Sequence, residues 1–196
     1  MEEMRKVDDP LDLGRASFKR RARSEACGHL LEADRTTPLE AEDLETLATA
    51  AYLAGRDEDS ESIRNRAHQA FAERGDRESA ARCAFWVAFG LFHRGAFAPA
   101  GGWVARPARL IEEAGRESVV RGYLLVPDGI RRIGAGDLSG AHATFVQVFE
   151  IAQRFGDRDL AAVARHGRGR TLIRQGRIVD GMTLLDEAMV AILAEE

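Results

Sequence analysis

The sequence predicts an all-α array of stacked helical hairpins, an α-solenoid, and three observations carry that reading. Glycines followed by a polar or small residue recur at Gly55, Gly95, Gly136 and Gly176, at spacings of 40, 41 and 40 residues. A second ladder, Gly75, Gly115 and Gly156, steps by 40 and 41, with the extra residue in the same repeat. Between rungs lie segments of about 17–20 residues with apolar residues at helical steps, and no stretch alternates with period two over strand length. Ala48, Ala51, Tyr52 and Gly55 follow such a step, as do Val87, Phe89, Phe92 and His93, and Phe145, Val148, Phe149 and Ala152. The glycines then read as helix stops, because glycine takes the left-handed φ after a helix without a Cβ penalty. Acids that follow them, in Gly75-Asp76, Gly136-Asp137 and Gly156-Asp157, suit the start of the next helix.

The elements come in pairs, a helix A and a helix B in each repeat. The first pair carries Leu13-Gly14 in A and Ala26, Leu30 and Ala33 in B, closed by Pro38. The second has Leu47-Ala48, Ala51, Gly55 and Ala67, and the third Val87-Ala88, Leu91, Gly95 and Ala100. The fourth has Gly129, Gly136, Ala141 and Phe145, and the fifth Gly169, Leu172, Gly176, Leu185 and Ala188. Small residues let paired helices cross closely, and large ones fill the adjacent hole. The expected repeats are 7–38, 39–75, 76–115, 116–156 and 157–196, within a single domain of 1–196.

This alternation of small and large positions resembles the tetratricopeptide (TPR) repeat along nearly the whole chain. The resemblance implies a right-handed superhelix whose A helices line a concave, partner-binding groove. Repeats two to five are longer than the usual period of about 34 residues. Arg21 stands where a turn glycine is expected, and Pro107 takes a small-residue position. The long period, with strings such as LATAAYLAGRDEDS and RCAFWVAFGLFHRGAF, is similar to the repeat region of actinobacterial LuxR-type transcriptional regulators. That implies a scaffold or sensor segment of a longer regulator, without the regulator's own helix-turn-helix.

Composition narrows the function. The chain is 45% apolar and 31% charged with net charge −4, which excludes wholesale disorder. It has no membrane-spanning run and no apolar leader, so a cytoplasmic setting is expected. Basic residues include only two lysines, Lys6 and Lys19, and acids outnumber bases, so specific DNA binding by this chain is not expected. The short cluster Lys19, Arg20, Arg21 and Arg23 reads as a solvated face beside Glu25 and Glu32. Cys27 and Cys83 show no disulfide or zinc spacing. GAGDLSG at 134–140 and GRGR at 167–170 lack a feeding strand and a Walker lysine, so they read as a helix end and as close-packing points. None of the five histidines has a helical metal-site partner, and no nucleophile motif stands out. No catalytic residue, cofactor or metal is therefore assigned. Paired carboxylates such as Glu42 and Glu45 read as solvated faces.

The leading expectation is a non-catalytic interaction or sensor module that holds a protein or peptide partner, or a small effector, in the concave groove. Its expected lining is Tyr52, Phe85, Phe89, Phe92, His93, Tyr123, His166, Arg170 and Arg174. The alternative is a helical-repeat enzyme or small-molecule pocket protein using His93 and His166; a closed pocket of titratable groups would favour it. In the last helix, Met182, Leu185 and Met189 are expected to pack on the fifth helix A. Leu184, Val190 and Leu193 are then left over, for a further repeat or for a homodimer. Pro127 is expected to break the fourth helix A, and Pro107 to bend the third helix B.

Overall fold

The computed structural model describes residues 9–96, 98–105 and 118–193, without the side chains of the last two. These form two compact units, Met1–Pro107 and Ala108–Glu196. Gly115 and Pro107 lie outside the described residues, as does the side chain of Leu193. The first unit holds α1 (Pro10–Lys19), α2 (Arg23–Thr36), α3 (Ala41–Leu53), α4 (Asp57–Glu73), α5 (Arg77–His93) and a helical segment over 98–105, α6. The second holds α7 (Val120–Gly134), α8 (Leu138–Phe155), α9 (Arg158–Arg174) and α10 (Ile178–Leu193). The described residues include no strand.

The glycine ladder works as the spacing predicts. Gly55, Gly75, Gly95, Gly136, Gly156 and Gly176 all have positive φ, between 67° and 82°. At each joint the chain closes the same two bonds over the last turn. Gly55 N–H donates to the Tyr52 carbonyl and Arg56 N–H to the Ala51 carbonyl; Gly136 and Asp137 do the same to Ile133 and Arg132. These satisfy carbonyls that a helix end otherwise leaves open. Arg21 takes the glycine conformation without being glycine, at φ 62°, and closes the same bonds to Phe18 and Ser17 through itself and Ala22. The acids that follow are caps: Asp76, Asp137 and Asp157 accept from the N–H groups of Ser79, Gly140 and Leu160.

In three hairpins, a glycine on the first helix meets a large residue on the second. A Cβ at Gly14 would lie 2.6 Å from Leu30, and one at Gly129 would lie 2.7 Å from Phe145. Gly169 likewise meets Leu185. Gly167 adds a second close approach to Phe145, so the 167–170 glycines are packing points inside α9. The core of the first unit gathers Leu30, Leu44, Leu47, Ile63 and Phe71 among many alanines.

Two expectations fail. α7 runs unbroken from Val120 to Gly134 through Pro127. Proline removes one backbone bond, at a cost of about 3 kcal/mol. Burial of Tyr123, Val126 and Ile133 on the same helix, at about 1.5–3 kcal/mol per large side chain, outweighs it. In α10 the packed face is Gly181 and Ala188, with Leu184 and Leu185 half-buried, while Met182 and Met189 are exposed. Gly169 and Gly181 set that rotation: a Cβ on either would come within 3 Å of the other's carbonyl oxygen.

Candidate functional site

In the first unit, α5 gathers part of the expected lining into a ladder one turn apart. Phe85 is buried at 2% exposure, Phe89 is half-buried, and His93 is exposed. Ring centroids are 5.6 Å apart for Phe85 and Phe89 and 4.3 Å for Phe89 and His93. Trp86 meets both phenylalanines edge-on, and the His93 ring N–H donates to the Phe89 carbonyl at 2.9 Å. Phe85 is thus an anchor, and only Phe89 and His93 reach the surface. Phe92 departs from the expected lining: it packs with Trp103 and Val104 against Val87, Ala88, Leu91 and Ala100. Tyr52, 57% exposed, stands on the last turn of α3 beside exposed Leu53.

In the second unit, Tyr123 is 1% exposed and lines no surface. Its hydroxyl donates to the Asp157 carboxylate, 3.0 Å from either oxygen, while Asp157 caps α9. A buried phenol must find such an acceptor, and this one ties α7 to the start of α9. His166, Arg170 and Arg174 repeat every four residues along α9, and all three are exposed. Arg165 and Arg168, on the other side of α9, stack on Phe149 at 4.8 and 5.4 Å from the ring centroid.

Most other described arginines are tied to a carboxylate. Arg15 bonds Asp43 through two nitrogens, at 2.8 and 2.7 Å, and Arg66 holds Asp34 the same way at 2.6 and 2.8 Å. Arg74 bonds Glu42, Arg82 bonds Glu45, and Arg94 pairs with Glu61. Glu42 and Glu45 are therefore ties between helices, not a merely solvated face. The Arg66 and Arg74 bonds hold the Asp34 and Glu42 carboxyls below their ordinary values. Among the described residues, Arg77, Arg121, Arg170 and Arg174 are exposed arginines with no such partner, and only Arg170 and Arg174 lie one turn apart on one helix.

Burial pushes the Cys83 thiol up to about 12, with the Glu45 charge adding to it, so it is no thiolate nucleophile near neutral pH. Among the described residues no group of three or more His, Cys, Asp or Glu could hold a metal. Two open clefts lie among the described residues. One of about 360 Å³ lies in the first unit among Glu58, Glu61, Ser62, Asn65, Arg94 and Trp103. Another of about 200 Å³ lies in the second unit among Ser118, Arg121, Gln147, Glu150, Arg154 and Phe155. Neither was legible in the sequence, because their facing walls come from residues 26 to 45 positions apart. No described helix is long and apolar enough to cross a membrane.

Solved structures with this fold are helical-repeat proteins. A Rap conjugation gene regulator of plasmid pLS20, in complex with the Phr* peptide, matches with TM-score 0.71 at 15% identity, over 95% of this chain and 53% of its own. Apo RapI matches at 0.63 and 16%, over 93% and 52%. Kinesin light chain TPR-like repeats from Podosopora anserina match at 0.55 and 15%, over 97% and 96%. The chain has a TPR-like fold. It spans about half the length of the two Rap proteins. No protein-family model matches the sequence, and no curated protein matches it either.

Proposed function

We propose that this chain is a non-catalytic interaction module that holds an acidic peptide or partner segment on the exposed faces of its A helices. The observation that carries it is the α9 stripe. Arg170 and Arg174 lie one turn apart, exposed and without a carboxylate, in a protein that ties most other described arginines to one. An arginine offers planar paired donors that match a carboxylate, and His166 adds a third polar group along the stripe. In the first unit, Tyr52, Phe89 and His93 offer aromatic surface to the same kind of ligand. A peptide-bound Rap regulator with this fold supports a peptide as the occupant. The LuxR-like strings support a place in a cytoplasmic bacterial transcription regulator, with DNA contacted elsewhere. An effector in place of a peptide is the second reading, and the open clefts favour the peptide.

The test is fluorescence anisotropy with labelled twelve-residue peptides, acidic and charge-neutral, at about 0.15 M salt, where the screening length is near 8 Å. The acidic peptide should bind more tightly, and R170E/R174E should weaken it about tenfold or more, since 1.4 kcal/mol is one decade. Equal binding of both peptides, or a variant that binds as the unmodified chain does, overturns the reading.

A further inference from the structure

We propose that Arg165, Arg168 and His142 form a binding site for a phosphate-type oxyanion between α8 and α9, on the side of α9 turned away from the His166 stripe. The first support is the repeat itself. Counted back from the left-handed glycine that follows each helix, Arg165 and Arg168 of α9 correspond to Leu44 and Leu47 of α3 and to Ala84 and Val87 of α5. Those four are core residues, all buried. At the same places α7 has Leu125 and Asp128, and Asp128 is answered at once by Arg131 and Arg132. Of these four helices α9 alone gives both positions to cations, and among the described residues neither cation has a carboxylate.

The two guanidinium groups share one ring, at 4.8 and 5.4 Å from the Phe149 centroid, so two like charges are gathered at one place. The ring's π face offsets part of that charge. Arg168 is half-buried, and its Nε–H is sealed from solvent and donates to nothing among the described residues. A cation drawn out of water without a counter-charge costs stability, and elsewhere this chain avoids the cost with a carboxylate. Places where a fold breaks its own pattern at a cost are where function is expected. The terminal nitrogens of both guanidinium groups are the donors the site offers.

Charge and shape name the ligand. One guanidinium fork already satisfies a planar carboxylate, whereas a tetrahedral oxyanion has oxygens for both arginines and charge enough to answer them. His142, half-buried on α8, supplies the third cation when it is protonated. Burial, then the charges of Arg168 on α9 and Arg177 at the head of α10, hold it below 6.5. Arg177 is itself paired with Asp180, so Arg168 is the unanswered charge that His142 meets. An anion seated on Arg168 offsets that charge, so proton and anion each favour the other's binding.

The probe is sulfate, whose charge is constant through the histidine range, titrated into the full chain against chloride at equal ionic strength. The His142 ring resonance, followed by NMR, is the readout. Sulfate should raise the His142 midpoint by about half a pH unit or more. Inorganic phosphate and O-phosphoserine, compared at about pH 7.5 where both are mostly dianions, assign the source. Tighter binding of phosphoserine names a phosphorylated segment as the occupant, and tighter binding of phosphate names the free ion. Arg168→Leu, the residue α3 has at this place, should abolish the sulfate shift while Tm is kept or raised. R170Q/R174Q should leave the shift as it is, which separates this site from the acidic-peptide stripe. A midpoint that sulfate moves no more than chloride, or a shift that survives Arg168→Leu, overturns the proposal. So does a lower Tm in Arg168→Leu, because the arginine then serves Phe149 and the fold alone.

Discussion

The two units hold their helices together by different means. In the first, arginines reach across to carboxylates 28 to 37 residues away: Arg15 to Asp43, Arg66 to Asp34, Arg74 to Glu42, Arg82 to Glu45. In the second, the pairs of Arg131 and Arg132 with Asp128, and of Arg177 with Asp180, stay within three or four residues. Beside the Tyr123–Asp157 bond between α7 and α9, its helices close over the missing side chains of Gly122, Gly129, Gly167, Gly169 and Gly181, two of which, Gly129 and Gly167, meet Phe145. One hairpin fold can thus be registered by polar bonds or by steric fit. The two solutions have different weaknesses: acid and salt act on the first, and a single added methyl group acts on the second.

The largest expected effect is on the steric side. Phe145→Ala should destabilise the second unit by about 4 kcal/mol, as large aromatic truncations in cores do. Gly167→Ala should lose about 2 kcal/mol despite alanine's better helix propensity, because its methyl group meets the same ring. The double variant should be less destabilised than the sum of the two, since each change relieves the other. Urea unfolding of all three chains measures this, and simple additivity would show that the glycine does not serve the phenylalanine.

On the polar side the effects are smaller. Asp34→Ala loses two bonds from Arg66 and one from the Leu39 N–H, and should cost about 1–2 kcal/mol in the first unit. Arg66 holds the Asp34 carboxyl below its ordinary 3.8. Its contribution is therefore complete above pH 3.8 and is lost as pH falls through the lower folded value. Urea midpoints of the unmodified chain should fall across that window, and those of Asp34→Ala should fall less. The second unit has its own acid-sensitive group: burial, then the charges of Arg168 and Arg177, holds His142 below 6.5. A depressed histidine binds its proton more readily when unfolded, so its contribution is present above 6.5 and lost as pH falls through the folded value. His142→Gln should flatten the pH dependence of unfolding in that range; an unchanged slope would remove His142 from the account.

The smallest expected effect lies at Arg21, the left-handed joint without a glycine. Arg21→Gly should stabilise the first unit by about 0.5 kcal/mol, the relief of left-handed strain less the greater entropy of an unfolded glycine. Destabilisation on substitution would show that the arginine's own contacts matter more than its backbone.

These contrasts mark what was legible in the sequence. The ladder reveals the joints at Gly55, Gly75, Gly95, Gly136, Gly156 and Gly176 and the aspartate caps, because a left-handed residue and a side-chain cap are local requirements that local spacing shows, whereas the turns at Arg21 and at Thr37-Pro38 lie off it. Which face of each helix turns outward was less legible. Helical periodicity shows that Phe85, Phe89 and Phe92 share a helix, but not that Phe85 is buried and Phe92 packs beside Trp103. A helix with neighbours on two sides carries two apolar stripes, and composition does not tell them from an exposed third. Tyr123 was misplaced because its acceptor, Asp157, lies 34 residues on. The rotation of α10 had a signal that large-residue patterning overlooks: Gly181 and Ala188, seven residues apart, mark the close-packed face.

The joints have a consequence for how such a chain can change over generations. α1 has 10 residues and α8 has 18, yet both end on a left-handed residue with the same pair of closing bonds. A helix may therefore lengthen, shorten or be copied without a new solution for the turn that follows it. Gene duplication of one hairpin delivers its own exit geometry with it, and the 40-residue spacing is the footprint of that self-sufficiency.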